Sequence, residues 1–241
     1  MTKKTHLMTI SERRPSRRHF SSIRWWTLFG LLLIGASFVG ISPQSKAQEG
    51  PKQTFQIKAL MQAMGPGTIM SPAIGAVRLI RARNEISGSV HVNGLEQNSA
   101  YSLWAAVFNR PEGCLTNPAG PVHCSAADFV PVPNPARASA FNIGAFVTGA
   151  APGTANVSFQ IPSGAPPDGA FVLWGQGGLN DNGVKPGLHE GNGFGAEVHI
   201  VIRAHGPINA ATIAAQLSEF NGGCNPVCGN VKVSPFPSVT P

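Results

Sequence analysis

The chain has 241 residues, 28 of them glycine and 21 proline, and a formal net charge of +7. Eight of its eighteen Lys and Arg but only one of its eleven Asp and Glu fall in residues 1–47, so ten residues of each sign remain from Gln48 onward. Without that leader the chain is near neutral and has no basic cluster beyond Arg78, Arg81 and Arg83, which excludes the electrostatic footprint of a nucleic-acid or acidic-surface partner.

Residues 1–47 read as a targeting segment. Basic residues lead into the apolar run Trp25 to Ile41, and Ser45 and Ala47 occupy the −3 and −1 positions of a cut after Ala47. The run is also long enough to cross a bilayer, for which roughly 17 to 25 helical residues suffice, so an uncleaved anchor is the alternative. Membrane contact is expected only through this segment. Ser16-Arg17-Arg18-His19-Phe20 resembles the twin-arginine export signal, carried by Arg17, Arg18 and Phe20. That resemblance implies a domain that crosses the membrane folded, sometimes with a cofactor already loaded. An ordinary secretory leader is the competing reading. Either way, residues 48–241 form a single exported β domain, periplasmic or extracellular, and membrane-anchored if the signal stays on.

Apolar or β-branched runs recur through the domain between Gly, Pro, Asn and Asp: 54–60, 76–82, 86–92, 100–108, 141–147, 155–161, 170–175, 197–205 and 230–233. Short strands at this spacing predict a mostly β fold, an antiparallel β-sandwich or Greek-key barrel. Only 209–220 has helical spacing, with Asn209 as a cap, Ile213, Leu217 and Phe220 on one face, and Gly222 as the stop. Two long irregular segments, 109–137 and 175–195, are either functional or loosely ordered. Asn180-Asp181-Asn182-Gly183 in the second lacks the bidentate glutamate of an EF-hand and reads as a turn.

The organising strand is Gly195 to Pro207. Alternation puts Val198, Ile200, Ile202 and Ala204 on a core face, and Glu197, His199, Val201, Arg203 and His205 on the other, which is solvated, packed on polar neighbours or the bearer of a site. All four cysteines lie in the exported part, and the favoured pairing is Cys114 with Cys124 and Cys224 with Cys228, each closing a short proline-containing loop. A metal site using His123 and Cys124 is the rival, but the spacing lacks a CxxC repeat.

The stretches Asn109-Arg110-Pro111-Glu112-Gly113-Cys114, Gly195 to Pro207 and Phe220-Asn221-Gly222-Gly223-Cys224 resemble a group of exported bacterial proteins with no established activity. The resemblance implies export and domain boundaries but no chemistry. More loosely, Ile86 to Leu95 followed by an aromatic strand resembles the opening of copper-zinc superoxide dismutase-like and chordin-like sandwiches. The following strand, Tyr101 to Phe108, lacks the metal histidines of the dismutases.

The sharpest chemical candidate is a copper or zinc site made by His91, Glu197 and His199, since Glu197 and His199 share a strand face about 7 Å apart. His199 and His205 share it too, but lie roughly 20 Å apart in a straight strand. Met61, Met64 and Met70 are candidate soft ligands, or core filler. No G-x-S-x-G elbow, phosphate-binding glycine loop or H-E-x-x-H is present, and His189-Glu190-Gly191-Asn192 lacks the second histidine. The expected function is therefore a non-catalytic binding or structural module, with no catalytic residue, no required cofactor and an unidentified ligand or cell-envelope partner. The alternative is a metal-dependent redox or hydrolytic enzyme using copper or zinc.

Overall fold

The computed structural model describes residues 52–240 apart from 66, 118, 119, 151 and 152. The expected export signal at Arg17, Arg18 and Phe20 and the cut after Ala47 lie outside the described residues. Among the described residues there are ten strands: β1 (Thr54–Ala59), β2 (Met61–Gln62), β3 (Ile74–Ala82), β4 (Glu85–Leu95), β5 (Ser99–Phe108), β6 (Ala138–Val147), β7 (Gly153–Pro162), β8 (Val172–Trp174), β9 (Glu197–Pro207) and β10 (Gly229–Phe236). They form two antiparallel sheets, one of order β1-β3-β4-β7 and one of order β2-β10-β9-β5-β6-β8. The fold is the β-sandwich that the strand spacing predicts.

Period-two alternation builds the core between the sheets. Ile86, Val90 and Val92 of β4 face Leu103, Ala105 and Val107 of β5 and Val198, Ile200 and Ile202 of β9, with Phe141 and Phe236 filling between them. Each fully buried Val, Leu, Ile or Phe contributes roughly 1.5–3 kcal/mol through removal of apolar surface from water.

The outer face of the six-stranded sheet is buried as well. Trp104, Ala106 and Phe108 of β5 and Val201 of β9 pack under Phe129, Phe171, Trp174 and Phe220 in a second apolar cluster. The segment 109–137 is the main cover. Its 3₁₀ turn Ala126–Phe129 is closed by a capping box between Ser125 and Asp128, and this aims Phe129 at Phe108, with ring centroids 5.0 Å apart. The outer face of β9 is therefore not solvated but lies under this cover: Glu197, Arg203 and His205 are buried there, and Val201 joins the second apolar cluster.

Both disulfides have the favoured pairing, Cys114–Cys124 and Cys224–Cys228. The first fastens the covering segment, and closing a loop of this size is typically worth about 2–4 kcal/mol. The helix, α1 (Ile213–Ser218), is shorter than the expected 209–220. Asn209 does not cap it: its side chain accepts from Ala211 N, while its own N–H donates to Gln216 Oε1. The buried Gln216 also donates to Pro207 O, so the helix is tied back to β9 before it can lengthen. Met64 and Met70 are 90% and 81% exposed, against the core-filling role open to them.

Arg81 of β3 is fully buried and uses all five donors. Its Nε donates to Gln56 Oε1, one terminal nitrogen to Gly193 O and Ala196 O, and the other to Phe236 O and Pro237 O. Burial lowers its pKa to about 10, which leaves it charged at neutral pH, near the charge of Glu197.

Candidate functional site

The outer face of β9 carries three polar groupings under the covering layer. At its start, Glu197 is fully buried; Oε1 accepts from Cys124 N at 2.9 Å and from His199 Nε2 at 2.8 Å, and Oε2 accepts from His123 N at 2.9 Å. His123 Nδ1 stands 3.5 Å from Oε2. Burial acts to raise the Glu197 pKa, but the bonds from His199 and from the two backbone amides outweigh it, so the carboxylate lies below its ordinary range. This is a charged anchor for the Cys114–Cys124 segment.

His91 does not join it. It is an exposed residue of the four-stranded sheet, paired with Ala76 and Asn156 across the ladders and bonded to Asn93. Val90 and Val92 point to the core on either side of it, so His91 points outward, whereas Glu197 and His199 lie on the outer side of the opposite sheet. Sheets packed face to face are about 10 Å apart, so the His91, Glu197, His199 metal set is not assembled. Glu197 and His199 are together, as their shared strand face predicts, with His123 as the third member.

Further along β9, Arg203 stacks 3.7 Å above the Phe220 ring and donates to Phe220 O, Asn221 Oδ1 and Asn230 Oδ1. His205, fully buried, closes the row. Trp104 Nε1 can only donate, so the Ser102 hydroxyl accepts from it at 2.7 Å and donates to His205 Nε2 at 2.7 Å. His205 Nδ1 then donates to Gly222 O at 2.9 Å. Burial pushes the His205 pKa down, in keeping with a neutral ring. Ser102 has no exposed surface, so this serine–histidine pair does not meet a substrate.

The open site lies between the two long irregular segments. A cleft of about 570 Å³ is lined by Arg110, Arg137, Lys185 and His189, with Val132, Pro133 and Pro135 on its apolar side and no acidic residue in its wall. Among the described residues no carboxylate forms an ion pair with Arg110, Arg137 or Lys185. His189 Nε2 is buried and has no hydrogen-bond partner. Burial, and next the positive charge of Arg137, hold the His189 pKa below its ordinary 6.5.

Three buried asparagines fix the walls. Asn109 donates to Gly187 O and accepts from His189 N, which staples the second loop to the end of β5. Asn134 donates to Asp128 O and Phe129 O and accepts from Ala138 N. Asn182, the turn residue of the Asn-Asp-Asn group, donates to Phe129 O and Ala138 O. Arg137 sits at φ 45°, a left-handed conformation that costs a non-glycine residue roughly 1–2 kcal/mol. Such strain collects at ligand sites.

Sequence reading flags both loops but not the cleft, because its cations are separated by up to 75 residues and form no run. His189 appears there only in a stretch that lacks the second histidine of H-E-x-x-H. No family model matches the chain, and no curated protein or solved structure matches it.

Proposed function

We propose that the chain is an exported, disulfide-stabilised β-sandwich that acts as a non-catalytic binding module, and that its ligand presents an oxyanion, a carboxylate, phosphate or sulfate, to the cleft of Arg110, Arg137, Lys185 and His189. The observation that carries this is a cleft lined by three cations that form no ion pair with a carboxylate among the described residues, together with an imidazole nitrogen buried without a partner, in a wall containing no acid. The volume lies in the range of small-ligand pockets, about 300–1,000 Å³. An oxyanion would accept hydrogen bonds from the guanidinium forks, which match its geometry. The apolar rim of Val132 and Pro133 would take the rest of the ligand. Export is supported by the leader and by two disulfides, bonds that persist in oxidising compartments.

The test is calorimetric titration of the protein with sulfate, inorganic phosphate and acetate. At least one is expected to bind saturably, at about millimolar Kd or tighter, about 4 kcal/mol. Arg110, Arg137 and Lys185 are exposed, so each contributes at most about 1 kcal/mol, and a single alanine substitution weakens binding up to about fivefold. The triple substitution abolishes it. Undiminished affinity in the triple variant, or no binding by any of the three anions, refutes the proposal.

A further inference from the structure

At the far end of β9 from Glu197, three potential metal ligands meet. His205 Nδ1, Cys224 Sγ and Cys228 Sγ lie within 4.8 Å of one another, and Nδ1 is 3.2 Å from Cys228 Sγ. The cysteines are joined as a disulfide in this structure. We propose that the Cys224–Cys228 bond is a reducible latch over a soft-metal site, and that the reduced form binds one copper(I) ion through both thiolates and His205 Nδ1.

The ligand set is the reason for the metal. Thiolates and an imidazole suit copper(I) or zinc, and both are soft enough to compete for such a site. Zinc would need a water as fourth ligand beside the three groups that converge among the described residues, whereas copper(I) is satisfied by those three alone. With metal–sulfur bonds near 2.3 Å the two sulfurs have to separate to roughly 3.5–4 Å. Cys228 is buried at the start of β10, whereas Cys224 is half-buried on the loop, so Cys224 is the one to move.

The neighbourhood is already arranged for an imidazole ligand. Ser102 Oγ lies 2.7 Å from His205 Nε2 and fixes the ring from behind, which is what a group supporting a metal-bound histidine does. A hydroxyl oxygen has two acceptor lone pairs, so it can take the bond from Trp104 and one from Nε2–H together. The loop that would have to move is short and lies at the surface: Asn225, Pro226 and Val227, the residues between the two cysteines, are exposed and line a second cleft of about 230 Å³ that none of the three ligands enters. Gly206 packs so closely on this loop that an added Cβ would stand 1.7 Å from Asn225 O.

The chemistry balances with a dithiol as reductant. Its two thiols give two electrons and two protons to the disulfide, yielding two cysteine thiols and an oxidised dithiol. Copper(I) then displaces both thiol protons to solvent. The ring stays neutral overall: its proton leaves Nδ1 for the metal to bind there, and Nε2 takes one up and donates it to Ser102. The bond to Gly222 O is given up in the process.

The protein is reduced with a dithiol, freed of it without oxygen, and titrated with copper(I) against a chromophoric chelator. Thiol alkylation is then mapped with and without the metal. One copper(I) is expected per reduced chain, none by the oxidised chain at the same site, and alkylation of Cys224 and Cys228 slows at least tenfold while Cys114 and Cys124 are not protected. His205→Gln should weaken binding by about tenfold or more, by analogy with the loss of groups that support a metal site. Since that variant can also fail to fold, X-ray absorption of the unaltered copper-loaded protein provides an independent readout, expected to show two sulfurs and one nitrogen. Protection confined to Cys114 and Cys124, equal alkylation with and without copper, or a copper shell lacking nitrogen overturns the proposal. Four-coordinate zinc binding in preference to copper(I) overturns the choice of metal.

Discussion

Replacing Glu197 with Gln tests whether the covering layer depends on one buried charge. The carboxylate accepts backbone N–H groups on two different oxygens, from Cys124 on Oε1 and from His123 on Oε2, and shares Oε1 with His199. An amide has one acceptor oxygen, so in either orientation its NH₂ faces a backbone donor. At least one charge-assisted bond is lost, worth about 1.5–3 kcal/mol, and a buried N–H is left facing another donor. A total loss of about 2–4 kcal/mol follows, near the 3–5 kcal/mol typical of breaking a buried ion pair. For a domain of this size that is a fall in Tm of roughly 4–16 °C. The pH dependence identifies the cause. The folded Glu197 pKa lies below its ordinary 4.5, so its contribution is complete above that value and disappears as pH falls through the folded pKa. Urea denaturation of both proteins with disulfides intact, from neutral pH into acid, is therefore expected to show a gap that closes in acid. A gap under about 0.5 kcal/mol at neutral pH, or one that stays constant into acid, would refute the reasoning.

Sulfate affinity should rise as pH falls from about 7 to 5, because, of the groups lining the cleft, Arg110, Arg137, Lys185 and His189, it is His189 whose pKa is held down by burial and by Arg137 and which gains a proton beside an anion. His189→Asn removes that slope, and a slope retained in the variant counts against the assignment. Arg137→Gly relieves left-handed strain of about 1–2 kcal/mol but adds about 0.5–1 kcal/mol of unfolded-chain entropy, so stability in urea changes little or rises while sulfate affinity falls. A stability loss above about 1 kcal/mol would show that the strain reading is wrong. Arg81→Lys leaves at least two of five acceptors unpaired and lowers stability by about 2–4 kcal/mol in the same assay; an unchanged midpoint refutes it.

The strands were legible because each repeats a period-two pattern between turn residues, and β9 shows why that rule is incomplete. Alternation correctly sends Val198, Ile200 and Ile202 inward, yet Glu197, Arg203 and His205 are buried too, under a layer supplied by residues distant in the chain. A one-dimensional pattern carries no signal for such a cover. The short strand β2 was missed because Met61 and Gln62 pair only with Val233 and Lys232 of β10, a contact with no local signature. The pairing of the cysteines was legible from loop length, whereas the proximity of His205 to Cys224 and Cys228 was not, since it follows from Gly206 bringing the β9 backbone against Asn225. Charge was the least legible quantity. The linear stretch Arg78, Arg81, Arg83 suggests a basic cluster, but Arg81 is sealed in the core, and the cations that line the cleft come from loops that only the fold brings together.

The Arg81 socket also governs how this domain can be assembled and cut. Its walls come from β1, from the turn before β9 and from Phe236 at the end of β10 with Pro237 just beyond it, so the socket is complete only when the last strand is in place. An intermediate with both sheets begun but β10 absent holds a desolvated guanidinium with two acceptors missing, a state penalised by several kcal/mol. A cut ahead of Phe236 would strip two of the five acceptors from Arg81, and so it would act on the interior rather than on a loose end.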